Sequence, residues 1–309
     1  RSKSQVRQKD LLNFAEENHF AVPGFFAFNL DFIKPIIEVA EEERAPIVLC
    51  QGPEFIDSFG ANIFTEACKA AAHGASIPVA LSVDHTFVTD ETTIPWILRI
   101  MTLGWSSFML DASLLSYEEN RTMSKQLADL CRAAGVSSVA ALGEVRRFFP
   151  QAMKYSGPFQ DDFQVPPEIM TDPEQAKEFV DYTGVDALAI SIGQYVRSLW
   201  DGEIPPFKKT ARLDFDRLEK IRKATPVHLV LHGATHVKEE DLSEAAASGV
   251  SMIKVASEQA LIWANEIRTF TAAHPDVMFP EDIQKPALAA VKESMRTYIR
   301  MFRANGQIK

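Results

Sequence analysis

A chain of 309 residues that is 46% hydrophobic and 24% charged has a globular composition and can bury a large core. Its length suits either two domains or one barrel of alternating strands and helices. The formal net charge of -10 argues against nonspecific binding to nucleic acid or an anionic membrane, both of which need a basic surface, though a local cluster of arginine and lysine would still receive a small anion. No run approaches the roughly 18 apolar residues of a membrane span. Arg1-Ser-Lys-Ser-Gln-Val-Arg-Gln8 lacks the apolar stretch of a secretory signal. Cys50, Cys68 and Cys131 form neither a C-x-x-C motif nor a disulfide framework, and read as buried small side chains in the reducing cytoplasm.

In chain order, residues 10 to 20 are predicted as an opening helix, and Ala21 to Asn29 as a β-rich run closed by a polar residue. Ile33, Ile36, Ile37 and Ala40 give helical spacing to residues 32 to 43. Ala45 to Cys50 is short, apolar and β-branched, like a strand covered on both faces. A helix near residues 61 to 73 precedes the run Pro78-Val-Ala-Leu-Ser-Val-Asp-His85. A helix over about 91 to 102, a strand Ser106 to Asp111, a long helix over 117 to 134 and a strand Val136 to Leu142 continue the alternation. Nearly thirty residues then lack a pattern, too many for a plain connector, and read as a lid or active-site segment.

Thr171-Asp-Pro-Glu174 opens the next helix with a capping residue and a proline in the first turn. The strand Ala187 to Ile192 follows, then a second irregular stretch over 193 to 212 and a helix capped by Asp214. The run Pro226-Val-His-Leu-Val-Leu-His-Gly233, a helix over 238 to 247, the strand Ser251 to Val255 and a helical tail from about 281 to 304 complete the chain.

Eight strand-helix units in series predict a parallel (β/α)8 barrel, an α/β TIM-barrel fold with extra N- and C-terminal helices, because parallel neighbours need a crossover helix and eight such units close on themselves. The expected organisation is one domain over 1–309, with the barrel over about 20–275 and a helical extension over about 276–309. Catalytic groups of such a barrel sit at the C-terminal strand ends. Asn29, Asp84, His85, Asp111, Glu144, His232 and Lys254 fall there. Adjacent strand residues point to opposite faces, so Asp84 and His85 are expected to share a face only by the strand ending there and the chain turning. The many phenylalanines and Trp105 read as barrel core, and Gly193 with its neighbours makes no dinucleotide fingerprint.

Pro23 to Asn29, Val83-Asp-His85, Thr171 through Ala189 and Leu229-Val-Leu-His-Gly233 together resemble the class II, metal-dependent ketose-bisphosphate aldolases, over about residues 10 to 275. That resemblance implies enolate chemistry: a divalent metal polarises the ketone of dihydroxyacetone phosphate while an acid–base residue manages the proton of the hydroxyl at the bond made or broken. It implies Asp84 as the acid–base residue and His85 and His232 as ligands of a divalent metal, zinc in the family's usual form, with an open position for substrate. It further implies substrate contacts from Asn29, Gly193, Arg197, Gly233, Thr235 and Ser257, a small anionic ketose or aldehyde as partner, and homo-oligomeric assembly.

The chain departs from the family pattern in several places. The third metal-binding histidine, expected after the sixth strand, is replaced by Val196, and the fifth strand reads Val139-Ala-Ala-Leu-Gly143 followed by Arg146-Arg147. The phosphate-cradling glycine run becomes His232-Gly-Ala-Thr-His236, and Lys254 stands where the family has asparagine. Two imidazoles alone hold zinc weakly, which leaves either a substitute ligand from Glu144, Asp111 or His236, with Glu144 the first choice, or loss of the metal. Lys254 is either a fixed cation paired with a carboxylate or an amine that forms a Schiff base with a carbonyl and replaces the metal as electron sink. Arg146, Arg147 and Arg197 favour an anionic substrate. Three expectations stand: a metal-assisted carbon–carbon lyase, a Schiff-base lyase through Lys254, and a noncatalytic barrel that binds a sugar phosphate or stabilises a partner subunit.

Overall fold

The structure, a computed structural model, describes residues 4–88, 90–148, 163–197 and 209–309. The first helix, α1 (Gln8–Glu17), leads into β1 (Val22–Phe26), α2 (Leu30–Glu42), β2 (Ile47–Gln51), a short α3 (Pro53–Phe59) and α4 (Ala61–Gly74). Next come β3 (Val79–Phe87), α5 (Thr93–Met101), β4 (Ser107–Asp111), α6 (Tyr117–Ala134), β5 (Ser137–Leu142) and a two-residue β6 (Arg147–Phe148). The second half holds α7 (Pro173–Thr183), β7 (Ala187–Ile190), a two-residue β8 (Val196–Arg197), α8 (Phe215–Ala224), β9 (His228–Leu231), α9 (Glu239–Ala247), β10 (Val250–Val255), α10 (Ser257–Ala273) and α11 (Pro280–Met301).

Eight of these strands close in the order β1-β10-β9-β7-β5-β4-β3-β2, every pair parallel. This is the predicted TIM barrel. Every residue of β1, β2, β4, β5, β7, β9 and β10 is buried, because helices cover the outer face and side chains fill the inner one. Such strands therefore read as continuous apolar runs rather than alternating ones.

The helix stops and starts follow local chemistry. Ser116 and Glu119 form a capping box on α6, and Gly135 ends that helix in the left-handed region. Asp172 caps α7 with Pro173 behind it, Asp214 caps α8, and Asn29 caps α2 by accepting from the Asp31 and Phe32 amides. At the N-terminal ends of the strands, α1 lies across the barrel floor. Lys9 N donates to Ser137 Oγ at 3.0 Å, His228 Nε2 meets Asn13 Oδ1 at 2.8 Å, and Arg222 pairs with Glu16 at 2.5 Å. The C-terminal α11 packs along α10 and α2. Its Tyr298 hydroxyl donates to Glu258 of α10 at 2.5 Å, and Arg296 reaches Glu42 and Glu43 at the end of α2 at 2.7 and 2.8 Å.

The three cysteines are free and buried, as expected, and burial pushes the thiols of Cys68 and Cys131 up to about 12, so they stay protonated and inert.

Three details differ from the sequence reading. The helix α3 sits where only a connector was expected; Gly52 and Pro53 start it, and seven residues are too few to show a periodic pattern. The long irregular stretches after β5 and β7 are tied together by β6 and β8, with Arg147 paired to Val196 and Phe148 to Arg197. About half of the stretch expected to be a lid or active-site segment, residues 149–162, lies outside the described residues, as do 198–208. Finally, β3 does not end at His85 but runs on to Phe87 through a bulge.

Candidate active site

That bulge answers how neighbouring residues reach one face. Along β4 the partners step from Phe108 to Leu110 while β3 steps from Val83 to Thr86, so one extra residue is accommodated in β3. His85 takes a positive φ of 46°. A non-glycine residue in that region costs about 1 kcal/mol or more and persists only when its surroundings hold it. The kink re-aims His85, so both it and Asp84 belong to the same cluster at the barrel mouth.

Asp84, His85 and His232 offer donor atoms that all lie within 4.8 Å of one another. Asp84 is fully buried, and its two oxygens have different neighbours. Oδ1 is held by the Lys254 ammonium, itself 2% exposed. Oδ2 has no hydrogen-bond partner and lies 3.8 Å from His85 Nε2 and 3.8 Å from His232 Nδ1. The two imidazole rings are 4.3 Å apart, edge to face. His232 Nε2 is buried without a partner. Its ring is held neutral, well below the usual histidine value, first by burial and then by the nearby His85, Lys254 and Arg147.

Around this centre lies a second ion pair. Arg147 Nη2 donates to Asp111 Oδ2 at 2.7 Å and lies 3.1 Å from His85 Nδ1, while its guanidinium stacks 4.8 Å from the Phe87 ring. A guanidinium carries only donors, so in that contact Nδ1 is the accepting atom. Burial alone would raise the Asp111 carboxyl, but Arg147, together with His85 and the Ser113 hydroxyl, outweighs it and holds the group well below the carboxylate range. Two carboxylates thus face two fixed cations across the two imidazole rings.

The donor set fits a divalent ion. One carboxylate oxygen and two imidazole nitrogens are the ligand types of catalytic zinc, and Asp84 Oδ2 and His232 Nε2 are buried polar atoms lacking a partner. Binding through His85 Nε2 requires the ring proton on Nδ1, for which Asp111 Oδ2 at 3.4 Å is the acceptor. The nearby Lys254 and Arg147 weaken the attraction for a dication without removing its ligands.

The residues singled out from sequence divide clearly. Asp84, His85, His232 and Lys254 converge. A cavity of about 790 Å³ opens above them; His85, His232 and Lys254 line it while Asp84 lies buried just beneath, and Asn29, Arg147, Val196, Arg197, Gly233, Thr235 and Ser257 complete the lining. Gly233 has φ 73°, and a Cβ there would sit 2.7 Å from Tyr195 O, so only glycine fits where the segment before β8 crosses the tip of β9. Gly193 stands behind the cavity against the Arg212 backbone rather than in its lining.

The candidate substitutes for the third histidine are placed differently. Glu144 follows Gly143, whose φ of 81° turns the chain away from the centre; its carboxylate pairs with Arg146 at 2.8 Å and is not part of the three-donor cluster. His236 is buried against the Tyr195 ring, 5.7 Å away and stacked, and Asp111 serves Arg147. Among the described residues the third donor beside the imidazoles is Asp84, because the β3 bulge brings it onto the same face. Val196 takes its place in the lining as an apolar side chain.

Sequence reasoning missed the aromatic character of the cavity. Trp105 is buried and bonded to Thr65, as expected, but Phe28, Phe55, Phe59 and Trp263 line the mouth instead of the core. The available signal was the density of phenylalanine just past the first two strands.

The family of class-II fructose-bisphosphate aldolases matches the chain over residues 6–307. Among solved structures, the YdjI aldolase from Escherichia coli K12 is 25% identical with a TM-score of 0.77, covering 99% of this chain and 100% of its own. A Coccidioides immitis structure proposed to be a fructose-1,6-biphosphate aldolase is 26% identical with a TM-score of 0.78, with 98% of each chain covered. Fructose-bisphosphate aldolase from Campylobacter jejuni, at 17% identity and a TM-score of 0.73 over 98% of this chain and 97% of its own, shares the fold. A family match that spans nearly the whole chain, on a closed barrel whose mouth gathers a carboxylate and two imidazoles, means that this protein belongs to the class-II fructose-bisphosphate aldolase family and is an aldolase-type lyase.

Proposed function

We propose that the protein makes and breaks a carbon–carbon bond in a phosphorylated or otherwise anionic ketose, with Asp84 as the acid–base residue. The observation that carries this reading is that His85, His232 and Lys254 line one cavity and all three surround the buried Asp84 carboxylate directly beneath it. In the cleavage direction, Asp84 Oδ2 takes the proton from the hydroxyl on the carbon beyond the scissile bond. The electrons of that O–H bond form the new aldehyde carbonyl, the carbon–carbon bond breaks, and its electron pair passes into the enediolate of the ketone half.

Lys254 orients Asp84 through its ion pair, and with Arg147 offers positive charge near the developing enediolate. A divalent ion seated on His85 and His232 would polarise the ketone carbonyl, with Asp84 Oδ2 beside it left to take the proton. A phosphate finds donors at Thr235, Ser257 and the start of α10, behind the seventh and eighth barrel strands, where such barrels commonly bind phosphate.

The pairing of Lys254 with a buried carboxylate favours a fixed ammonium over a Schiff-base amine. Borohydride added with substrate is expected to leave Lys254 unmodified; added mass on that residue would reverse this assignment. Asp84→Asn is expected to lower kcat/KM for ketose cleavage by about 10²–10⁴, with folding checked by circular dichroism. Full activity in that variant would remove the reading. Elemental analysis is expected to find a divalent ion bound, and chelation to abolish cleavage; full turnover in metal-free protein would rule out the metal-assisted route.

A further inference from the structure

The cavity is lopsided in a way that the reaction alone does not require. Its cations come from one side and the floor: Arg147 follows β5, Arg197 follows the next barrel strand, β7, and Lys254 rises from β10. In the closed strand order β1 stands opposite β5. The residues just beyond β1, those of α3 beyond β2, and those of α10 beyond β10 therefore face the arginines across the mouth. That sector is aromatic. Phe28 meets Phe55 edge to face at 5.6 Å and stacks with Phe26 at 6.1 Å, Trp263 joins through Phe32 at 6.4 Å, and Phe59 is 38% exposed. Ala260 and Ala264, a turn apart on α10, leave room between the rings.

Among the described lining residues the only charged group on this side is Glu54, an exposed carboxylate next to Phe55 on α3. A second phosphate placed deep among these rings would lose water for little beyond the Trp263 indole N–H and the Asn29 side chain, with no cation on the wall to pair with, and would face a like charge. An apolar group would instead remove itself and four half-exposed aromatic rings from water.

We propose that the substrate end distal to the phosphate-bearing ketone half is apolar, so that the aldehyde released or captured carries an alkyl or aryl chain rather than a second phosphate. The wall of Phe28, Phe55, Phe59 and Trp263 is its subsite. This specificity rests on the lyase reading, while the subsite itself is testable without turnover.

Two measurements separate the two ideas. The first is calorimetric titration of the intact protein with n-alkyl phosphates from methyl to hexyl. Affinity is expected to rise about threefold to fourfold per methylene. The second is aldol addition of dihydroxyacetone phosphate to unphosphorylated aldehydes from propanal to heptanal, where kcat/KM is expected to climb by a similar factor per carbon and to exceed that for glyceraldehyde 3-phosphate. Phe55→Ala, which opens the wall, and Ala264→Phe, which fills it, are both expected to flatten the dependence on chain length, though they change volume in opposite directions.

A rising affinity with no carbon–carbon chemistry for any aldehyde would leave the apolar subsite standing and sink the lyase reading. Flat affinity together with preference for glyceraldehyde 3-phosphate would overturn the subsite while the lyase reading stood. A changed sedimentation coefficient in Phe55→Ala with an unchanged chain-length dependence would also overturn it, since the wall would then belong to a contact between copies of the chain.

Discussion

At the scale of single residues, the exchange of greatest consequence is Lys254. Its ammonium occupies one oxygen of Asp84 and leaves the other facing both imidazoles, so one carboxylate serves two cationic demands. A divalent ion at the cluster feels the charge of Lys254 directly, and at an effective dielectric constant near 20 even a separation of several ångströms costs more than about 1.4 kcal/mol. Lys254→Met should therefore raise zinc affinity at least about tenfold, measured by competition with a chelating dye. The same variant should lower cleavage activity, because Asp84 loses its orienting partner. Unchanged zinc affinity would mean that the ammonium and the ion do not share the site.

At the scale of elements, α1 illustrates how the floor of the barrel depends on protonation. His228, at the start of β9, is depressed below the usual histidine value mainly by burial, with Lys9 and Arg222 adding to it and Glu16, 2.9 Å away, opposing it. The unfolded chain thus binds a proton in a range where the folded chain does not. Stability is full above about pH 6.5 and declines as pH falls from there toward the folded value, by at most about 1.4 kcal/mol per pH unit. Chemical denaturation across pH 7.5 to 5 should record that decline. His228→Gln should make the curve shallower in the same window; an identical slope in the variant would show that α1 docking does not sense this proton. Asp111 adds a separate loss only below its ordinary value of 3.8, since its folded carboxyl is depressed further still.

For the whole molecule, α11 decides whether the barrel and its extension are one unit. Ala287, Val291, Met295 and Ile299 are fully buried, and Tyr298 closes a network with Glu258 and Lys209. We expect deletion of residues 280–309 to abolish a single cooperative thermal transition, because it strips the cover from α2 and α10; a well-folded, cooperatively melting truncation would make the extension a separate module. No helix among the described residues is long and apolar enough to cross a membrane. We also expect a homo-oligomer, and a purely monomeric sedimentation profile at micromolar concentration would contradict it.

The alternation of buried strands and capped helices was written locally, and that is why the barrel was legible: apolar runs, Asp214 and the Thr171-Asp-Pro-Glu start are short-range signals. The pairing of Asp84-His85 with His232 was legible too, because both motifs end strands and strand ends meet at one rim. Three features needed the folded chain. Asp84 joins the imidazoles only through a bulge whose extra residue is defined against β4, and no property of β3 alone announces it. Glu144, a strand-end carboxylate by position, turns away because Gly143 redirects the backbone. The phenylalanines that read as core gather at the mouth because β1, the helix after β2 and the helix after β10 become neighbours only when the barrel closes, an adjacency between residues more than two hundred positions apart that no local pattern encodes.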